Sequence, residues 1–253
     1  TTTVSAGTLQ AGAPSTFSAA SAVTVGGGAT LDLNNFSQTI SSLSGAGLVT
    51  LGVGTLTAGG NDSSTTFSGA ISGSGGLIKL GGGTLTLSGA NTYTAGTIVR
   101  GVGDVTSRLS ISADQNLGDP SGALTLDKGI LQTTTAPIAT QRNIILGSEG
   151  GATTLQTEAD LTMTGIVSGN APLIKTGAGT LMLTGANTYR GGTTVTGGTL
   201  AIAADQNLGD VAGPLALDGG TLPNTAAFTT ARAIAIGRSG GGLRIDADLT
   251  STG

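Results

Sequence analysis

The sequence has no cysteine, no histidine and no tryptophan. Without cysteine there are no disulfides, no thiolate metal sites and no cysteine nucleophile. Without histidine the usual general base at neutral pH and the commonest zinc ligand are missing, and a Ser-His-Asp hydrolase is excluded. Aromatics make up 2% and charged residues 9%, against roughly 25% charged in an average soluble protein. The net charge is −4, and the ten basic residues are scattered singly. No run of them could track a phosphate backbone, so nucleic acid is not an expected partner. No continuous apolar span reads as a transmembrane helix or signal peptide, and direct membrane insertion is not expected.

What is present is glycine, 46 of 253 residues, with abundant serine and threonine and a hydrophobic fraction of 38%. That hydrophobicity argues against disorder, and the absence of a Gly-X-Y period argues against collagen. The chain also copies itself. Leu77–Tyr93 ("LIKLGGGTLTLSGANTY") and Leu173–Tyr189 ("LIKTGAGTLMLTGANTY") agree at thirteen of seventeen positions. "ADQNLGD" occurs at Ala113–Asp119 and again at Ala204–Asp210. The offset is 96 before this point and 91 after it, which leaves five extra residues between Gly96 and Ala113. "GALTLDKGIL" (Gly122–Leu131) parallels "GPLALDGGTL" (Gly213–Leu222), and "RNIILG" (Arg142–Gly147) parallels "RAIAIG" (Arg232–Gly237). "ADLTMTG" (Ala159–Gly165) parallels "ADLTSTG" (Ala247–Gly253).

Within these long repeats the units are short alternations. Leu85 and Leu87 point one way and Thr84 and Thr86 the other, the period of a half-buried strand. No window carries a sustained helical stripe. Self-similarity at a fixed period marks a solenoid, scarce aromatics suit a narrow interior of Leu, Ile, Val and Ala, and glycine suits tight corners. The expected architecture is all-β, a parallel β-helix of ten to twelve rungs. At about 4.8 Å per rung it would be on the order of 50 Å long. It is read as one β-helix over 1–253, with long repeats near 48–165 and 166–253 and a degenerate one at 1–47. Stacked rungs place like over like, Thr over Thr and Asn over Asn. In "GTLTLSGANTY" (Gly83–Tyr93), "GTLTL" is a strand and "SGAN" a corner. There Gly89 takes positive φ, Asn91 caps or ladders, and Tyr93 closes the turn over a corner of the core.

Leu173–Ile202 ("LIKTGAGTLMLTGANTYRGGTTVTGGTLAI") and Leu77–Val99 resemble the passenger-associated transport repeat of bacterial autotransporters. The resemblance implies that the β-helix is right-handed and is a passenger segment on the bacterial cell surface, tethered to the outer membrane in the full-length protein, with a C-terminal translocator β-barrel as its secretion partner. It also implies a stalk or adhesin with a host-cell or extracellular-matrix ligand and no catalytic residue. Lack of cysteine fits export, because a periplasmic disulfide would obstruct it. The start without Met is expected of a piece cut from something longer.

Some residues invite a chemical reading. Asp114/Asp119 and Asp205/Asp210 could act as acid and base in a secreted β-helix enzyme that cleaves polysaccharide. Beside that stands a polar-turn reading, favoured because the site is duplicated intact. "GGGATLD" (Gly26–Asp32) and "GVGD" (Gly101–Asp104) resemble calcium nonapeptides but lack the tandem run such sites need. No metal or cofactor is expected. Lys79 and Lys175 stand at the same place on their rungs and face solvent. Phe17, Phe36, Phe67 and Phe228 fill core or caps. The five-residue insertion brings Arg100, Asp104 and Arg108 onto a loop leaving the rod, the candidate partner-binding loop.

Overall fold

Short alternating runs make strands of three to five residues, and the computed structural model pairs them side by side in parallel. The structure describes residues 1–147, 151 and 153–252. In Thr84–Leu87, Leu85 and Leu87 are buried while Thr84 and Thr86 are half-exposed, because successive strand side chains point to opposite faces. Among the described residues there is no α-helix, only two 3₁₀ turns. Two compact units divide the chain, Thr1–Thr125 and Leu126–Gly253.

The first unit winds around three faces. One face carries Thr2–Val4, Ala22–Val25, Ser42–Gly45, Thr65–Phe67, Thr84–Leu87 and Ser107–Ile111. Its register advances one rung at a time: Val23 pairs with Thr2 and with Leu43, 21 and 20 residues away. The second face carries Thr8–Gln10, Thr30–Asp32, Leu48–Thr50 and Ala70–Ser72. The third carries Gln38–Ile40, Leu56–Ala58, Leu77–Leu80 and Thr97–Arg100. Beyond Ala70–Ser72 the second face changes character. The corner after Thr84–Leu87 and the 3₁₀ turn Asp114–Leu117 continue it in place of strands.

The second unit repeats this plan. Gly129–Thr133, Thr153–Thr157, Leu173–Thr176, Thr193–Val195, Leu215–Leu217 and Ile234–Ile236 form one face. Ile138–Thr140, Leu161–Met163, Thr180–Leu183, Thr199–Ile202, Thr221–Asn224 and Gly242–Ile245 form the next. The remaining face starts with Ile144–Leu146 and Val167–Gly169. It continues through the second corner and the 3₁₀ turn Asp205–Leu208 to Phe228–Thr230 and Leu249–Ser251. Each unit is therefore a parallel β-helix with six rungs on its longest face, as the expected ten to twelve require.

The interior is a column of aliphatic side chains. Leu31, Val49 and Ile71 lie in register on successive rungs and are fully buried. Each such side chain contributes roughly 1.5–3 kcal/mol relative to exposure. Phe67 belongs to this core, whereas Phe17, Phe36 and Phe228 are half-buried.

Three expectations need correction. Lys79 and Lys175 do not face solvent; they are 1% and 0% exposed. Each lies two residues after an inward leucine, Leu77 or Leu173, so strand alternation turns it inward. Gly89 does not sit in the left-handed region. A Cβ there would lie 1.9 Å from the Gly69 carbonyl oxygen, so it is glycine for close approach of neighbouring rungs. Like also does not stack on like throughout. Thr66 pairs with Thr86, but the side chains of Asn91 and Asn116 form no ladder; each binds the other segment's backbone.

Candidate functional site: a buried corner built twice

The duplicated words "GANTY" and "ADQNLGD" meet in space. In the first unit, Asn91 is 5% exposed at the corner. Its Oδ1 accepts from the Ile71 amide at 2.8 Å on the preceding rung, and its Nδ2 donates to the Asn116 carbonyl at 2.6 Å on the following one. Its own amide donates to the Gln115 carbonyl at 3.0 Å. One side chain thus splices an ordinary strand to a 3₁₀ turn. The Asn116 Oδ1 accepts from the Ser112 and Ala113 amides at 3.0 and 2.9 Å, closing the turn on itself as one half of a capping box does. Its Nδ2 donates to the Gly89 carbonyl at 2.9 Å.

The second unit reproduces this geometry. Asn187 accepts from the Val167 amide at 2.8 Å and donates to the Asn207 carbonyl at 2.6 Å. Asn207 accepts from the Ala203 and Ala204 amides at 3.0 and 2.9 Å and donates to the Gly185 carbonyl at 2.9 Å. The tyrosines complete both corners. The hydroxyls of Tyr93 and Tyr189 each lie 2.6 Å from a threonine Oγ1, that of Thr97 or Thr193. Their carbonyls accept from the Asp119 and Asp210 amides at 2.9 Å. Burial pushes the Tyr189 phenol up to about 12, so it stays neutral. Gly118 and Gly209 carry the chain away with φ of 81° and 76°. A Cβ on either would lie 2.4 Å from a tyrosine carbonyl oxygen.

The buried lysines serve the same rungs. The Lys175 Nζ donates to the carbonyls of Thr176, Gly177 and Gly197 at 2.9, 3.0 and 3.0 Å. The Lys79 Nζ donates to the Leu80 carbonyl, to the Gly81 carbonyl at 3.0 Å and to the Ser107 Oγ at 3.3 Å. Burial lowers both ammonium groups to about 8, partly offset by Asp62 at Lys79 and by Glu158 and Asp160 at Lys175.

The acidic pairs have separate employments. Asp210 accepts from the Ala212 amide at 2.9 Å, and Asp119 from the Ser121 amide and hydroxyl at 2.9 and 2.6 Å; both close polar turns. Asp205 faces Arg232, which is 1% exposed. The Arg232 Nε donates to the Asp205 Oδ1 at 3.2 Å, and Thr230 Oγ1 donates to the same oxygen at 2.6 Å. The rest of the guanidinium holds the carbonyls of Gly209, Asp210 and Gly213. No local pattern in the chain announces this clasp, because 27 residues separate Arg232 from Asp205. The recurrence of "DQNLGD" and of an Arg-x-Ile at Arg142 and Arg232 was its only trace. Asp114 starts the first 3₁₀ turn, half-buried.

The insertion forms a small exposed turn over Gly101–Thr106, where Val102 and Val105 exchange antiparallel hydrogen bonds. Asp104 lies exposed in that turn; Arg100 ends one flanking strand and Arg108 lies in the other. Asp32 stays on the second face of the first unit. It accepts from Gln10 Nε2 at 2.7 Å, the Asn34 amide at 2.9 Å and Thr50 Oγ1 at 2.8 Å, and these bonds lower its pKa. Among the described residues no acidic cluster is grouped to hold a metal ion.

The two corners coincide with a family pattern. The model of the passenger-associated transport repeat matches residues 77–101 and 173–202. A 101-residue stretch, 40% of the chain, is 45% identical to the adhesin BmaC autotransporter of Brucella suis biovar 1 (strain 1330). Both similarities support an autotransporter passenger segment. It spans only 3% of that adhesin's length, and no solved structure matches it. The same similarities support a place at the bacterial cell surface, with tethering to the outer membrane in the full-length protein. In passenger terms the repeat has a physical meaning: it is the sequence that replaces a strand by a corner and binds that corner to the next rung.

Proposed function

We propose that this passenger segment is a non-catalytic, rigid β-helical support. It presents adhesive loops and helps the passenger fold as it leaves the cell. Its secretion partner is a C-terminal translocator barrel of the full-length protein, and its adhesive partner a host-cell or matrix ligand. The name of the matched adhesin supports attachment. The observation that carries the reading is the use made of polar groups. Among the described residues no buried side-chain nitrogen or oxygen lacks a hydrogen-bond partner. Asp205, which a polysaccharide-cleaving enzyme would need free, is held by Arg232 and Thr230. Recognition is assigned to the turn with Arg100, Asp104 and Arg108, because loops on a regular scaffold can vary without disturbing it.

Deleting residues 173–210 from the full-length protein tests the reading. Surface labelling and host-cell attachment should both fall. Normal display together with normal attachment would overturn it. Hydrolysis or lyase activity on a glycan panel, lost on changing Asp205 and Asp210 to Asn, would establish the enzyme in its place.

A further inference from the structure

The two copies close one rung in two different ways. After each buried lysine, two bonds of the ammonium are alike: the Leu80 and Gly81 carbonyls at Lys79, the Thr176 and Gly177 carbonyls at Lys175. The third differs. In the second copy the Lys175 Nζ donates to the Gly197 carbonyl at 3.0 Å, and the Thr196 Oγ1 donates to the Lys175 carbonyl at 3.3 Å. Gly198 completes this short connection with a φ of 63°. A Cβ there would lie 2.8 Å from the Lys175 Nζ and 2.5 Å from the Gly179 carbonyl oxygen, so the position requires glycine. At the offset of 91, Gly198 corresponds to Ser107. Ser107 is fully buried and lies outside the left-handed region. Its Oγ accepts from the Lys79 Nζ at 3.3 Å and donates to the Lys79 carbonyl at 3.3 Å. One hydroxyl thus makes both contacts that Thr196 and Gly197 share in the second copy.

We infer that Ser107 is the positioning residue of the exposed turn: it moves both contacts at Lys79 onto a side chain and so releases the main chain before it to leave the rod. Six residues, 101–106, then stand where the second copy has Gly197 alone. They bond to one another instead. Val102 and Val105 exchange two hydrogen bonds of 3.0 Å around Gly103 and Asp104. Gly103, with a φ of 59°, supplies the positive φ that a two-residue hairpin loop needs. The rung is sealed at Lys79, so the length and sequence of the turn can vary without disturbing the core. The connection after a buried lysine is therefore a display site, opened by serine in place of the inward glycine. This deepens the recognition role proposed for the turn and rests on it, whereas the bonding at Lys79 can be tested apart from any ligand.

Urea unfolding of the 253-residue chain tests the inference through a double-mutant cycle. Ser107→Ala leaves one ammonium proton of Lys79 without its acceptor and should lower the folding equilibrium constant about tenfold or more. In a Lys79→Met chain the same change should lower it less than about threefold. A graft needs no change at Lys79. Residues 101–107 put in place of Gly197 and Gly198 should leave the folding constant within about fivefold of the parent, and the same graft with alanine for its serine should fall about tenfold below that. Equal losses with and without Lys79, or grafts of equal stability, would overturn the inference; the grafts decide it if Lys79→Met fails to fold. Attachment by the full-length protein separates the two readings. A coupled cycle with undiminished attachment after residues 101–106 are replaced by Thr-Gly-Gly sinks the recognition role alone. An additive cycle with attachment lost sinks the part assigned to Ser107 alone.

Discussion

Lys175 concentrates the chemistry of a single residue in this fold. Its ammonium is fully buried, yet three carbonyls accept its three protons. Lys175→Met keeps the volume but leaves those carbonyls without their donor, a loss of about 2–4 kcal/mol; urea unfolding measures it. The charge also leaves a pH signature. Lys175 titrates near 8 in the folded chain and at its ordinary 10.5 when unfolded. Between those values the unfolded chain binds more protons, so stability should rise with pH from about 8 upward. Tyr189, pushed up to about 12, acts in the opposite sense above 10. The rise is therefore cleanest between pH 8 and 10, and Lys79→Met with Lys175→Met should flatten it. Gly209 is a second sensitive residue. Alanine there must adopt a φ of 76° with its Cβ against the Tyr189 carbonyl, which costs about 2–3 kcal/mol or more. Gly209→Ala at near-parental stability would contradict the corner geometry.

Among the elements, the two copies offer an internal comparison. Strands Thr97–Arg100 and Ser107–Ile111 are joined by six residues, Gly101–Thr106. Their counterparts Thr193–Val195 and Thr199–Ile202 are joined by Thr196, Gly197 and Gly198 alone. Both connections close a rung, so the longer one is not needed for closure. Replacing Gly101–Thr106 by Thr-Gly-Gly should change unfolding free energy by less than about 1 kcal/mol. If the turn carries recognition, attachment should fall with the fold intact. Undiminished attachment would remove Asp104 and its turn from the adhesive surface. The element that sequence reading placed least well is the 3₁₀ turn. "DQNL" reads as a polar turn, and so it is, but its asparagine is inward. No alternation of two or 3.6 residues announces a four-residue element of this kind.

For the molecule as a whole, the scarcity of charge sets the terms of stability. The exposed pair of Arg244 with Asp246 is worth little in water, and the Arg232–Asp205 pair is sheltered from screening. Packing and backbone hydrogen bonds carry the rest. Raising sodium chloride from about 0.05 M to about 1 M should shift unfolding free energy by no more than about 1 kcal/mol. A loss of several kcal/mol would mean that long-range charge had been underrated. By itself the sequence determined the class of fold, because period-2 alternation, self-copying and abundant glycine admit a parallel coil and little else. It also announced that the "GANTY" and "ADQNLGD" words mattered, by writing each twice. Only the tertiary structure decided that the two words are partners, that both lysines and Arg232 turn inward, and that Asp205 is clasped. Those facts depend on which residues winding brings to the same height on neighbouring rungs, some 20 to 27 positions apart. Contacts of that separation are made by the coil's pitch and leave no local pattern in the chain.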